Sequence, residues 1–362
     1  MRNWRLWLGL GVSAVCLCLA ARGVDWGSLQ GALRQVEAVP LLVALGLSLW
    51  IALARAYRWR AVLAPHSKPK IRRLFNLLNA GYFVSNVAPL RLGDVLRAYL
   101  YAELEHLSVV RALSTVVVER ILDTLIIVLL LLALLPAVSL PASLLRPALG
   151  VGLVAVLAIL LLAALVSRRQ QMWARLQTWS SRLPLVRRLG LVLRPAAAGL
   201  EGLAAGALDG VAALGSWHQA MAAGGWSLAV WLSAAVQFYL VLHAVGLRLP
   251  VTAGLLVLCL TSLGMVVPSS PGYVGVFEYL AVLALSLFGV SREGALGYAL
   301  VLHVLLYVSS SVLGLLGLWI EGFSYARLKD VVARAHDGHF VDQDGRAVAQ
   351  DGRSNAKDAH LD

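Results

Sequence analysis

Two stretches decide the fold: Val87-Ala88-Pro89-Leu90-Arg91-Leu92-Gly93-Asp94-Val95, with Tyr99-Leu100 after it, and Val266-Val267-Pro268-Ser269-Ser270-Pro271-Gly272-Tyr273-Val274, with Tyr279-Leu280 after it. Pro89 stands four residues before Gly93, and Pro268 stands four before Gly272. A second match follows in the same order, Ser108-x-x-x-Ala112-Leu113 against Ser291-x-x-x-Ala295-Leu296. Each stretch interrupts an apolar region with Pro and Gly. Paired interruptions of this kind in the two halves of a membrane chain point to a transporter binding site.

Working outward, the composition is that of a polytopic membrane protein. The 362 residues are 60% hydrophobic and only 14% charged, too little polar surface for a soluble body of this size. Cys16, Cys18 and Cys259 lie in apolar runs, with neither metal-ligand spacing nor a disulfide framework. The net charge of +12 fits Lys and Arg retained on the cytoplasmic side rather than nucleic-acid binding. The opening run, with Trp4 and Trp7, reads as an uncleaved first helix rather than a signal peptide.

Spanning-length apolar runs lie at roughly 4–22, 40–62, 109–135, 144–166, 222–246 and 294–320. Shorter helices, roughly 74–90 with 94–106 and 252–268 with 273–288, flank the two Pro motifs and read as re-entrant hairpins. The expected fold is an all-α polytopic membrane protein. About six spanning helices and two hairpins, about eight membrane segments, form an inverted repeat. The first repeat covers 1–135. The second covers 136–322 and includes a basic cytoplasmic loop at 167–221, and 323–362 form a largely disordered cytoplasmic tail. Lys68, Lys70, Arg72 and Arg73, and the arginine run at 168–194, place both termini in the cytoplasm. The segment at 23–39, balanced by Asp25 and Glu37, reads as a loop.

Several polar residues stand inside these apolar elements. The first hairpin carries Asn79, Asn86, Arg91, Asp94 and Arg97. Gly93 suits a tight turn and Asp94 suits the N-cap of the next helix, whose free N–H groups favour an anion. Arg91 and Arg97 either add charge for a phosphate oxygen or face the headgroups. Glu119, Arg120 and Asp123 form an intramembrane cluster, either a site or a packing salt bridge. The second hairpin carries Ser269, Ser270 and Glu278, the last aligned within one position of Arg97, so that the two acquire a route to meet at the midplane. Burial favours protonation of Glu278. His303 and Tyr307 either line the same cavity or serve packing. Pro89, Gly93, Pro268, Pro271 and Gly272 are the turn positions. Arg55, Arg58 and Arg60 read as snorkelling anchors at a cytoplasmic helix end. No Walker motif, dinucleotide fingerprint or nucleophile–base pattern appears, and no cofactor or metal is implied.

Asn86 through Tyr99, then Arg111-Ala112-Leu113-x-Thr115-Val116-Val117-Val118-Glu119-Arg120-x-x-Asp123, resembles the flippase-like membrane domain of lysylphosphatidylglycerol synthases. Pro268-Ser269-Ser270-Pro271-Gly272-Tyr273-Val274-Gly275-Val276-Phe277-Glu278 resembles that domain's second signature. The likeness covers roughly residues 4–322. It implies a prokaryotic cytoplasmic-membrane protein that moves or helps handle a charged-headgroup or polyprenyl-phosphate-linked lipid. The soluble aminoacyl-transferase domain of two-domain members does not follow the last helix, so synthesis of the lipid is not expected. The leading expectation is therefore a lipid translocase, with anionic or charged-headgroup lipids as partners and possible association with a lipid-modifying enzyme. The alternatives are an integral-membrane transferase or a scaffold for a synthase.

Overall fold

The computed structural model describes residues 4–63, 69–88, 92–105, 107, 109–167, 216–265 and 269–323. Those residues form eleven α-helices and one 3-10 turn, with no strand among them. The helices are α1 (Trp4–Ala21), α2 (Trp26–Arg34), α3 (Ala38–Leu63), α4 (Ile71–Val87), α5 (Leu92–Glu105) and α6 (Val109–Leu134). They continue as α7 (Ala142–Ser167), α8 (Trp217–Ala244), α9 (Val251–Gly264), α10 (Val276–Ser286) and α11 (Arg292–Ile320), with the 3-10 turn at Pro271–Tyr273. Pro89, Arg91 and Pro268, the arginine run at 168–194 and the tail from 324 lie outside the described residues.

The long helices fall where the apolar runs lie. Among the described residues α3, α8 and α11 are long and apolar enough to cross a membrane by composition. The pair α1 and α2, bent by 86°, makes a fourth if it counts as one span. The helix α6 has the same 26-residue length as α3 but carries Arg111, Glu119, Arg120 and Asp123. Lipid-facing surface is visible on α11, where Val304, Val308, Val312 and Leu315 form an exposed stripe at helical spacing that ends in Trp319. Trp26, Trp217 and Trp319 are all exposed at helix ends, where aromatic rings suit the headgroup level.

The segment expected as a loop at 23–39 contains α2. Asp25 caps it, accepting from the Gly27 and Ser28 amides at 3.2 and 3.0 Å. Leu29 on α2 packs with Ala20, Val24 and Leu296, which fastens this helix to α11.

One packing pattern occurs twice. In α3–α6 and again in α8–α11, the first helix packs on the second, the second and third form a hairpin, and the third packs on the fourth. Across the two sets α3 lies against α8, α4 against α11, and α9 against α6. The helix α1 packs on α10 and α11, while α7 packs on α6. Glycines allow the closest crossings. A Cβ on Gly93 would fall 1.7 Å from the Gly81 carbonyl oxygen, so α4 and α5 touch backbone to backbone. On α11, Cβ atoms at Gly314 and Gly317 would fall 2.5 and 2.6 Å from the Asn79 and Asn76 carbonyl oxygens of α4. Small residues at such crossings are how membrane helices gain van der Waals contact where lipid removes the hydrophobic drive. Gly93 therefore serves a helix crossing inside α5, not the turn that the sequence suggested.

Candidate functional site

Charged side chains inside an apolar bundle are expensive unless each finds a partner. Here six of them close a ring. Arg58 on α3 binds Asp123 on α6 and lies 3.5 Å from Glu119 through its Nε. Glu119 accepts from Arg97 on α5 at 2.6 Å. The Arg97 Nε lies 3.2 Å from Asp94 one turn earlier. Asp94 takes Arg120 as a fork, with Nη2 at 2.7 Å from both of its oxygens and Nε at 3.1 Å. The Arg120 Nη1 returns to Asp123 at 3.8 Å. Three arginines and three carboxylates alternate, so the ring is formally neutral.

Neutral hydrogen-bonding groups and aromatic faces complete this ring. The Trp231 indole N–H of α8 donates to Asp123 at 2.8 Å. The Trp59 indole N–H donates to Thr115 at 3.1 Å, while the Arg97 guanidinium stands 4.9 Å above the Trp59 ring. Arg58, Arg97 and Glu119 are sealed, at 2%, 1% and 0% exposure.

Asp94, Arg120 and Asp123 form the open edge of the ring. They line a cavity of about 290 Å³ reached by both hairpins. From α4 come Asn79, Tyr82, Ser85 and Asn86, and from α8 come Trp231 and Gln237. The opposite wall is Gly272 and Tyr273 of the 3-10 turn, with His303, Tyr307 and Ser310 of α11. Arg55 of α3 also faces the cavity. Its guanidinium lies 5.0 Å from the Tyr82 ring centre and pairs with no carboxylate among the described residues. Arg55 is thus a seventh charge, one cation beyond the neutral ring of six, standing on the cavity side of Asp123.

At the second hairpin, Glu278 sits in the first turn of α10 and accepts from the Gly275 amide at 2.6 Å. Its other oxygen contacts His303 Nδ1, and His303 Nε2 lies 2.8 Å from the Gly272 carbonyl oxygen. Gly272 and Gly275 have φ of +69° and +93°, a region that glycine enters without Cβ strain. A Cβ on Gly272 would also fall 2.8 Å from the Tyr307 ring.

The family described as the lysylphosphatidylglycerol synthase TM region matches residues 6–314. The chain belongs to this family. No curated protein matches it. For a lysylphosphatidylglycerol synthase TM-region member, a function tied to membrane lipid follows from the family itself. The matched span contains the whole ionic ring, both hairpins and the cavity between them.

Within this family member the structure gathers some of the sequence-derived candidates and scatters others. Asn79, Asn86, Asp94, Arg120, Asp123, His303 and Tyr307 meet at the cavity. Asn86 donates to Ser310 and Ser311 at 2.9 and 3.0 Å, which ties the end of α4 to α11. Arg97 and Glu119 stand behind the cavity in the ring. Ser269 and Ser270 turn away from it. The Ser270 amide donates to Ser13 of α1 at 2.8 Å, and the Ser269 carbonyl lies beside Gly9. Asp94 is not the N-cap of α5: that helix begins at Leu92, and the carboxylate turns to Arg120. Arg97 and Glu278 do not meet, because Glu119 and His303 are nearer partners for them. The sequence reading also missed Arg58. It is no snorkelling anchor but the most enclosed cation of α3, while Arg60 is exposed as expected. The available signal was the i,i+3 spacing of Arg55 and Arg58, which puts both on the face turned toward α6.

Proposed function

We propose that the chain is a lipid translocase of the cytoplasmic membrane, which takes the headgroup of an anionic or phosphate-linked lipid into the cavity while the acyl chains stay in the bilayer. The observation that carries this reading is Arg55, a cation with no carboxylate within ion-pair distance among the described residues, facing a cavity bounded by both hairpins. Arg55, and Arg120 through the Nη1 not spent on Asp94, supply the charged donors for phosphate oxygens, and Asn79 adds the one amide N–H it does not give to Phe75. The twofold packing pattern supports a repeat; in the proposed cycle the repeat is inverted with boundaries near 135 and 322, the halves rock about the cavity, and both termini face the cytoplasm. Binding energy drives such rocking only through different affinities of the two states. The integral-membrane transferase is the weaker reading, because Asp94, Glu119 and Asp123 are each held by an arginine rather than left as base or ligand.

The test is transbilayer movement of fluorescent phosphatidylglycerol, beside fluorescent phosphatidylcholine, in proteoliposomes. The wild type is expected to move the anionic lipid faster. Arg55→Ala removes a charge-assisted contact of about 1.5–3 kcal/mol, so movement at limiting lipid falls about tenfold or more. Rates equal to protein-free liposomes, or no headgroup preference, overturn the reading.

A further inference from the structure

His303 stands between two oxygens. Its Nε2 faces the Gly272 carbonyl at 2.8 Å, and its Nδ1 faces Glu278. A backbone carbonyl only accepts, so Nε2 carries a proton. A second proton occupies the contact between Nδ1 and the carboxylate, since two lone pairs would otherwise oppose each other there. The pair thus holds two protons on three sites and is neutral overall. A neutral histidine beside an ionised glutamate holds only one.

Removing one proton leaves one N–H for two acceptors. The ring then serves Glu278 or Gly272, and not both. A full carboxylate charge is the stronger acceptor, so the bond to Gly272 is the one released. Glu278 is in no position to follow, because its second oxygen is fixed by the Gly275 amide at the start of α10. Gly272 belongs to the 3-10 turn that walls the cavity, beside Tyr307 and the Asn86 carbonyl. The loss of one proton is therefore felt at the cavity wall.

We propose that Glu278 and His303 form a proton-binding latch that fastens the turn of the second hairpin while it holds its shared proton and frees that turn when the proton leaves to cavity water, which makes transport by this chain proton-coupled. The use assigned to the latch rests on the translocase reading; the latch itself does not. The titratable and charged groups facing the pair are Tyr307 on α11, Tyr273 in the turn and Tyr82 on α4. Across the cavity stand Arg55 on α3, Asp94 on α5, and Arg120 and Asp123 on α6. The helices α8 and α9 offer the cavity Gln237 and Ser262, which do not titrate, and α1 meets α10 through Ser13 and Leu17. The nearest of these groups are phenols. The ring acids are bound to arginines, which leaves the Glu278–His303 pair as the carboxylate contact at the cavity wall that is not held by an arginine.

The experiment uses the full chain in nanodiscs with ¹⁵N-labelled histidine, the His303 signal being assigned by its loss in His303→Gln. Hydrogen exchange of the peptide covering 269–275 is followed over the same pH series and corrected for intrinsic chemistry. In the wild type His303 loses one proton in one step, and above that step corrected exchange of the turn rises by up to about tenfold per pH unit. In Glu278→Gln the amide donates to Nδ1 while Nε2 still serves Gly272, so both bonds persist and exchange stays slow at every pH. In His303→Gln the pH dependence of the turn also disappears. A His303 ring singly protonated from about pH 5 to 9, or one exchange profile shared by the wild type and Glu278→Gln, overturns the proposal. Neither readout uses a transported lipid, so failure of the latch and failure of the translocase reading are separate results.

Discussion

Arg58 and Arg60 lie two residues apart on one helix and look alike in sequence, yet their replacement is expected to differ by an order of magnitude in free energy. Arg58→Met keeps most of the methylene stem and deletes the charge. The ring then holds two arginines and three carboxylates. Glu119 keeps Arg97 at 2.6 Å, but Asp123 retains only the Trp231 N–H at 2.8 Å and Arg120 at 3.8 Å. One buried carboxylate has lost its closest ion pair. Breaking such a pair costs about 3–5 kcal/mol. Replacing exposed Arg60 by Ala stays within about 0.5 kcal/mol. The double variant Arg58→Met/Asp123→Leu removes one charge of each sign and restores a balanced set of two and two. Its cost is expected to fall below the sum of the single costs by about 1–3 kcal/mol. Reversible unfolding in mixed micelles, driven by increasing SDS and followed by tryptophan fluorescence, reads the wild type, Arg58→Met, Asp123→Leu, the double variant and Arg60→Ala. The reasoning fails if Arg58→Met is as mild as Arg60→Ala, or if the double variant costs the full sum.

Three other outcomes follow from the same contacts. Gly314→Ala places a Cβ 2.5 Å from the Asn79 carbonyl and should destabilise by about 1–3 kcal/mol in the same unfolding assay. Gly46→Ala on α3, where nothing lies within 4 Å, should be neutral or stabilising by up to about 1 kcal/mol. Trp231→Phe removes the indole donor to Asp123 and should cost about 1.5–3 kcal/mol, with much of that cost absent when Asp123→Leu is already present.

The long helices and the hairpins were legible because they depend on signals local in sequence. An apolar run of spanning length has one stable use in a bilayer, and a Pro-Gly interruption between two short apolar runs marks where backbone leaves the helix. What escaped was set by partners far away in the chain. Nothing near Arg58 announces Asp123, 65 residues later, and three arginines within six residues imitate a cytoplasmic flank. Glu278 has no cation near it in sequence, and its partner His303 comes 25 residues later. The helix α2 is only nine residues long and one-sided, so no apolar run reveals it. Its mark was Asp25 three residues before Ser28, a cap that a charge tally of the same segment treats as mere balance.

The two hairpins are fastened by unlike means, and this bears on which of them moves. The first is held to α6 by Arg97–Glu119 and Arg120–Asp94, inside a closed ring that also reaches α3. Opening it means separating several buried charges at once, at a cost of several kcal/mol for each pair broken. The polar ties of the second hairpin's turn and α10 include the His303–Gly272 and His303–Glu278 contacts and the Ser13–Ser270 bond, and among the described residues none is an arginine–carboxylate pair. A neutral hydrogen bond contributes about 0.5–1.5 kcal/mol net and one to a charged group about 1.5–3 kcal/mol, within reach of a single protonation event. In the proposed cycle the first half is thus the frame that presents Arg55 and Arg120, and the second hairpin is the part that yields. A disulfide joining Cys residues introduced at Ser13 and Ser270 should then stop lipid movement until it is reduced. The same two cysteines kept reduced should leave that movement intact. Equal movement in the oxidised and reduced forms would place the motion elsewhere.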